Sequence, residues 1–270
     1  MNNENKVSVI MGVYNCAETL SESIDSIIEQ TYTNWELIMC DDASTDKSLL
    51  IMREYEKKYS NINVLKNEKN MGLNYTLNKC LEVANGQFIA RMDGDDISLK
   101  NRFEEEIKVL LEKPNISIVS CPMIYFDLKG EWGRGTMIEY PQKEDFIKGT
   151  PFCHAPCMVR REAYMAVQGY SVEKRLLRVE DYHLWMKMYA EGYRGYNIQR
   201  PLYKMRDDRN ATARRKFKYR LNEAYVRGMA IKKLGLSKKY YISILRPILV
   251  GIFPTPVYEY LHKRKQNNKK

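Results

Sequence analysis

The 270-residue sequence predicts an α/β protein, with a mainly parallel central sheet covered by helices on both faces and a helical, basic C-terminal extension. Three observations predict it. Short apolar runs alternate with helical stripes from Val7 to Cys121, the succession expected when parallel strands are joined by crossover helices. Polar clusters directly follow those runs, at Gly12-Val13-Tyr14-Asn15, Asp41-Asp42 and Asp93-Gly94-Asp95-Asp96, and such strand ends are where these sheets bind ligands. Charge is unevenly divided. Met1 to Asp208 carries 27 basic against 32 acidic residues, a net −5, whereas Arg209 to Lys270 carries 17 against 2, a net +15.

Each element has a local cause. Val7–Met11 is an apolar run closed by Gly12 and reads as a buried strand. Leu20, Ile24, Ile27 and Ile28 form one stripe on a helix over about residues 18–30. Trp35–Cys40 is a second strand, and Ser44-Thr45-Asp46 supplies cap residues for a helix reaching Tyr59. Ile62–Leu65 is a third strand, Leu73–Ala84 a helix, and Gln87–Met92 a fourth strand running into Asp93. A helix marked by Phe103, Ile107, Leu110 and Leu111 stops at Pro114, and Ile116–Cys121 is the next strand. From about Pro122 to Arg206 the pattern is mixed, with strands at Met123–Asp127, Cys157–Arg160 and Tyr193–Ile198 and helices at Arg161–Val167 and Glu180–Glu191. Helices at Ala211–Leu234 and Tyr240–Leu261 follow, the second around Pro247, Pro254 and Pro256. The expected division is a domain over 1–208, with halves of about 1–121 and 122–208, and an extension over 209–270.

Bulk properties exclude several classes. No stretch reaches the roughly 20 apolar residues of a membrane-spanning helix. The start, MNNENKVSVIMGV, has no charged region before an apolar run and no small-residue cleavage site of a signal peptide, so a cytoplasmic protein is expected. Cys16, Cys40, Cys80, Cys121, Cys153 and Cys157 are scattered through apolar segments and read as reduced thiols. Cys153-His154 with Cys157 lacks the second pair that a zinc site needs.

The cluster Asp93-Gly94-Asp95-Asp96 suits a hard, oxygen-seeking cation, Mn²⁺ or Mg²⁺, which takes one or two carboxylates and completes its shell with water and phosphate oxygens. Gly94 leaves room for backbone to approach a ligand. An EF-hand starting at Asp93 would place Glu104 at its twelfth position, but Ser98 stands where that loop needs glycine and Ile97 where it needs an oxygen. A plain acidic turn leaves the apolar strand before it unexplained. Tyr14 is placed to stack on a nucleobase and Asp42 to accept a hydrogen bond from it. Each alone is as well read as packing or a turn; together with the acidic cluster they describe a nucleotide site along one sheet edge.

The blocks VSVIMGVYNCAETLSESIDSIIEQTYTNWELIMCDDASTD, NMGLNYTLNKCLEVANGQFIARMDGDD and VEDYHLWMKM resemble the family 2 inverting glycosyltransferases of the GT-A fold, a Rossmann-like architecture, from about Val7 to Tyr189. The resemblance implies a donor-binding first half and an acceptor-binding second half. It places Gly12, Tyr14, Asn15 and Glu18 around the donor nucleotide, with Tyr14 facing uracil. It implies that Asp42 holds the base and Asp41 its turn, that Asn78 lies near the donor, and that Asp93 contacts ribose or diphosphate. Asp95 becomes the metal ligand, with Asp93 beside it, and Asp96 the organiser of the loop.

Glu180-Asp181 opens a helix whose buried side carries Leu184, Trp185 and Met188. An acidic pair there caps the helix and complements its dipole. Inverting transfer also needs a base opposite the leaving diphosphate, and the resemblance assigns it to Asp181 with Glu180 as neighbour. His154, between prolines, is equally a structural residue or a contact to acceptor or diphosphate, and Trp185 is a second candidate for that contact.

The extension mixes cations with aromatics at Arg214-Arg215-Lys216-Phe217-Lys218-Tyr219-Arg220. Ile242–Phe253 is apolar and bracketed by Lys238-Lys239 and His262-Lys263-Arg264-Lys265. Nucleic-acid binding would use the charge but not the apolar stretch, so no nucleic acid is expected. An anionic membrane surface uses both, which places the protein peripherally at the inner face of the cell membrane. The expected activity is metal-dependent transfer of a hexose or N-acetylhexosamine from a UDP-sugar to a glycan or lipid-linked saccharide, in surface polysaccharide biosynthesis. Its rivals are a nucleotide-sugar-binding protein without catalysis, a nucleic-acid-binding module, and a nucleotidyltransferase, which would want a glycine-rich triphosphate loop absent near the N-terminus.

Overall fold

A computed structural model describes residues 4–207 and 216–252. The expected repeat of strand and helix is present: β1 (Val7–Val13), α1 (Leu20–Ile28), β2 (Trp35–Asp41), α2 (Ser48–Lys58), β3 (Ile62–Lys66), α3 (Leu73–Val83) and β4 (Phe88–Arg91). Next come a short β5 (Ile97–Ser98), α4 (Arg102–Glu112), β6 (Ile118–Ser120), β7 (Met123–Asp127) and β8 (Gly130–Arg134). The chain continues through β9 (Met158–Arg160), α5 (Arg161–Ala166), α6 (Glu180–Ala190), β10 (Gly195–Asn197), β11 (Tyr203–Arg206), α7 (Phe217–Lys233) and α8 (Leu245–Ile252).

The main sheet has seven strands in the order β10-β6-β9-β4-β1-β2-β3. It is parallel except at β9, which runs antiparallel to both β4 and β6. One apolar cluster on it combines Val9, Met11, Leu37 and Phe88 with Ile24, Phe103 and Ile107; a second combines Ile10, Ile38 and Ile89 with Leu77, Leu184 and Trp185. The alternation of Val9 and Met11 with Ile10 sends successive β1 side chains to opposite faces. Both faces are therefore covered, as an α/β sheet requires. A second sheet, β5-β11-β7-β8, contains β5, β8 and β11, none of which the sequence pattern predicts.

Register puts the candidate residues on one edge. Ile10 pairs with Arg91 and Val13 with Asp41, so the chain leaves β1, β2 and β4 on the same side. The second sheet adds to that edge, because the Arg206 N–H at the end of β11 donates to Asp96 at 2.8 Å.

The extension is not separate from the domain where it is described. Val226, Ala230, Ile231, Leu234 and Leu236 join the same core as Tyr182, Trp185 and Met188. Arg227 is buried, pairs with Glu223 at 2.9 Å and donates to the Ser243 carbonyl. α7 starts at Phe217, and the expected first turn from Ala211 lies outside the described residues. A 3₁₀ segment, Lys238–Ile244, precedes α8, in place of one helix from Tyr240. Pro247 explains the restart, since it has no N–H for the Ser243 carbonyl and is tolerated only in a first turn. Pro254, Pro256 and the cluster His262-Lys263-Arg264-Lys265 lie outside the described residues, as do Arg214 and Arg215.

Candidate active site

The acidic loop follows β4. Asp93, Asp95 and Asp96 bring ligand oxygens within 4.8 Å of one another. Asp93 pairs with Arg91 at 2.6 Å, and its N–H donates to the Tyr203 hydroxyl at 3.2 Å. Asp96 is buried, and its carboxylate accepts the Arg206 N–H while its carbonyl accepts the Ser23 hydroxyl at 2.7 Å. Asp95 is the exposed member. Loss of water, then repulsion by Asp93, raises the Asp95 carboxyl; Asp96 is raised well above the carboxylate range by burial and by both neighbours. An all-oxygen set under mutual repulsion fits a divalent cation, which would relieve that repulsion. Gly94 does not face a ligand: it is buried against Cys16 and Leu20, and its carbonyl accepts the Thr19 hydroxyl at 3.0 Å. That bond ties the loop after β1 to the acidic loop.

A cleft of about 650 Å³ connects this loop to the start of α6. Asp93, Asp95 and Asp96 line it together with Asp181, Thr150 and Arg178, and α7 contributes Tyr219, Arg220 and Glu223. Asp181 is pushed up to about 6, first by loss of water and then by Glu180; the Tyr182 N–H, the Thr150 hydroxyl and Arg91 favour its charged form. Glu180 keeps Oε2 buried with no hydrogen-bond partner, an acceptor position that a hydroxyl donor would satisfy.

The residues expected to meet the nucleotide surround the ends of β1 and β2. Tyr14 is 48 % exposed, as a stacking ring requires, and Glu18 is exposed. Asn15 adopts a left-handed backbone, φ +53°, and its side-chain amide oxygen Oδ1 accepts the Thr45 N–H at 2.8 Å. Gly12 packs on α3, where an added Cβ would meet Leu73 at 3.0 Å. Asp42 is 4 % exposed and already accepts from the Asn67 amide and from the N–H groups of Met71 and Gly72. A base N–H would be its fourth donor, the limit of a carboxylate. Asp41 accepts the Ser44 N–H and so closes the turn.

Two more candidates are corrected. Asn78 does not face a donor, because both ends of its amide bond the Tyr170 backbone, at 2.7 and 2.8 Å. Gly169 beside it has φ +62°, and an added Cβ would stand 2.5 Å from the Asn78 oxygen, so only glycine serves there. Trp185 does not reach acceptor or diphosphate: it is fully buried, edge-on to Phe152 and His154. It acts as a floor under His154. His154 hydrogen-bonds Tyr170 at 2.8 Å, and Tyr170 bonds Tyr164 at 3.1 Å. Burial and then the Arg91 charge hold His154 well below the usual histidine range, so the ring is neutral.

Sequence reasoning missed Arg91, Arg206, Tyr203 and Thr150. Arg91 is the central omission. It is 4 % exposed, its Nε has no partner, and its charge acts on Asp93, Asp95, His154 and Asp181. The signal was available, since one arginine closing the apolar run Phe88-Ile89-Ala90 needs a buried partner. Arg206 bridges the loop's far side, donating to the Asp95 carbonyl at 2.9 Å and pairing with Glu22.

The chain is similar to known proteins in sequence and fold. The family model for glycosyl transferase family 2 matches residues 8–167. A putative glycosyltransferase of Bacillus subtilis, EpsE, is 43 % identical over 271 residues, covering 100 % of this chain and 98 % of its own length. An Escherichia coli UDP-Gal:alpha-D-GlcNAc-diphosphoundecaprenol beta-1,3-galactosyltransferase is 30 % identical over 271 residues, covering 96 % of each chain. The fold matches that of S. aureus TarS in complex with UDP-GlcNAc, with a TM-score of 0.72, 20 % identity, and coverage of 91 % of this chain and 72 % of that one. With its acidic loop and its α6 carboxylates on one GT-A sheet edge, the chain belongs to glycosyl transferase family 2.

Proposed function

We propose that the protein is an inverting, metal-dependent transferase that moves a hexose or N-acetylhexosamine from a UDP-sugar to a lipid-linked saccharide in surface polysaccharide synthesis. The observation that carries this is the single cleft with Asp93 and Asp95 on the acidic loop and Asp181 at the start of α6. Uridine is supported by the exposed Tyr14 beside Asp42, and by the UDP donors named for the E. coli relative and the TarS complex. The acceptor class is supported by the diphosphoundecaprenol-linked sugar in the relative's name.

Asp95, with Asp93, would hold Mn²⁺ or Mg²⁺, and the bound ion supplies positive charge to the departing diphosphate. Asp181 accepts the acceptor hydroxyl's proton as that oxygen bonds to the anomeric carbon and the carbon–phosphate-oxygen bond breaks, releasing nucleoside diphosphate. Attack opposite the leaving group inverts configuration, so an α-linked donor yields a β-glycoside. Glu180, beside the base, helps to raise the Asp181 carboxyl.

A panel of nucleotide sugars with Mn²⁺, and product anomers read by NMR, tests the reading; retention of configuration would refute it. Asp95→Ala is expected to lower turnover by about 10²–10³-fold, the loss typical of one preorganised electrostatic contact in a transition state. Full activity with EDTA present would remove the metal from the mechanism.

The membrane surface is the proposed second partner. Among the described residues no helix is long and apolar enough to cross a membrane. On and before α8, however, Ile242 (75 % exposed), Leu245, Leu249 and Ile252 stand exposed near Lys238, Lys239 and Arg246. Apolar side chains with a basic rim suit insertion at an anionic headgroup boundary. Ile242→Glu/Leu249→Glu is expected to reduce co-sedimentation with phosphatidylglycerol vesicles at least tenfold, about 1.4 kcal/mol. Pelleting equal to that of the unsubstituted chain would rule out this surface.

A further inference from the structure

We propose that Arg178, with Arg220, forms a subsite for a phosphate carried by the acceptor, separate from the donor diphosphate; this rests on the transfer reading above. Three arginines line the cleft. The Arg206 guanidinium is committed to the Asp95 carbonyl and Glu22 and lies over the Phe126 ring. Arg220 pairs with Glu223 at 3.1 Å. Arg178 makes no hydrogen bond or ion pair with any described residue. Other exposed arginines do find carboxylates, as Arg53 finds Glu56, Arg134 finds Glu131 and Arg200 finds Glu105.

The backbone is arranged for this side chain. Arg178 has φ +68°, a left-handed conformation that is strained for arginine. The segment is fastened on both sides: the Val179 N–H donates to the Leu176 carbonyl at 3.1 Å, and Asn222 of α7 donates to the Leu177 carbonyl at 3.0 Å. That second bond joins the turn to the helix carrying Arg220. A cation with no partner among the described residues, in a strained, fastened turn beside a cleft, is poorly explained by solvation alone.

Position decides which phosphate it meets. In an inverting displacement the base and the leaving group lie on opposite faces of the anomeric carbon. Arg178 lies three residues before the base, and Arg220 is on α7, which packs against α6. They therefore face the incoming acceptor, while the donor diphosphate belongs to the acidic loop. Guanidinium groups offer phosphate paired, charge-assisted N–H bonds. A sugar carried on a lipid diphosphate presents such an anion next to the reacting saccharide.

Titration calorimetry with decyl diphosphate, in saturating UDP and Mg²⁺ so that the donor site is filled, tests the subsite on the full chain. The unsubstituted protein is expected to bind it, and Arg178→Ala to weaken binding about tenfold or more. Arg178→Gly, which suits the left-handed backbone, should melt no lower and lose the same affinity, which separates anion binding from folding. Decyl glucoside, which has no phosphate, should bind both variants and the parent alike. Equal affinity of parent and variants for decyl diphosphate, no binding by the parent, or binding abolished by UDP would overturn the proposal. Because none of these readouts uses turnover, absence of sugar transfer would count against the function and leave the subsite result standing.

Discussion

Asp181→Asn is expected to lower kcat by about 10²–10⁴-fold, the contribution of a positioned general base, while donor KM stays within about twofold. Asparagine keeps the shape and the hydrogen bonds to the Thr150 hydroxyl and Tyr182 N–H but cannot take a proton. The pH profile distinguishes a base from a structural carboxylate. Asp181 sits at about 6, so the parent's kcat/KM should climb as pH rises through about 6, where the carboxyl becomes charged, and then level off. The variant's residual rate should lack that limb. Glu180→Gln removes the repulsion that helps raise Asp181, so its limb should move to lower pH. A limb near pH 6 that persists unchanged in Asp181→Asn would assign the titration to another group and sink the role.

What could be read from the sequence follows the range over which each signal acts. Apart from β5, the repeat from β1 to α4 was legible because apolar spacing is a local property, and the ends of β1, β2 and β4 carried polar markers, such as Asp41-Asp42 or Asp93–Asp96. Strand direction has no such marker, which is why β9 gave no warning that it runs antiparallel. β11 was missed because Tyr203–Arg206 is four residues with two cations, and its partners β5 and β7 lie about 80 or more residues away. With β11 went Arg206 and Tyr203, two residues that hold the acidic loop. The extension was read by net charge, although Val226, Ala230, Ile231 and Leu234 repeat at helical spacing and mark a core face. Asn78 was placed near the donor by likeness to a family pattern, which carries position along the chain but not the direction of a side chain.

Arg91→Met is expected to be the most damaging single change, because it strands a carboxylate and moves both halves of the site. Removing one member of a buried pair costs about 3–5 kcal/mol; Asp93 is partly exposed, which places the cost near or below the lower figure. A loss of about 2–3 kcal/mol should lower Tm by roughly 4–12 °C for a chain of this size. Stability alone would leave the remaining folded enzyme with an unchanged pH profile. The geometry predicts otherwise: Arg91 is one of the groups that favour charged Asp181, so without it the carboxyl rises and the acid limb should move above pH 6. Arg91 also pairs with Asp93, so the Mn²⁺ concentration giving half-maximal rate should change in the same variant. Arg91→Lys keeps the charge but not the planar fork, and should restore the limb more fully than the melting temperature. A variant that loses stability with the limb and metal response of the parent would reduce Arg91 to a packing residue. A shifted limb that lysine pulls back would place one buried cation beneath both the leaving-group loop and the base.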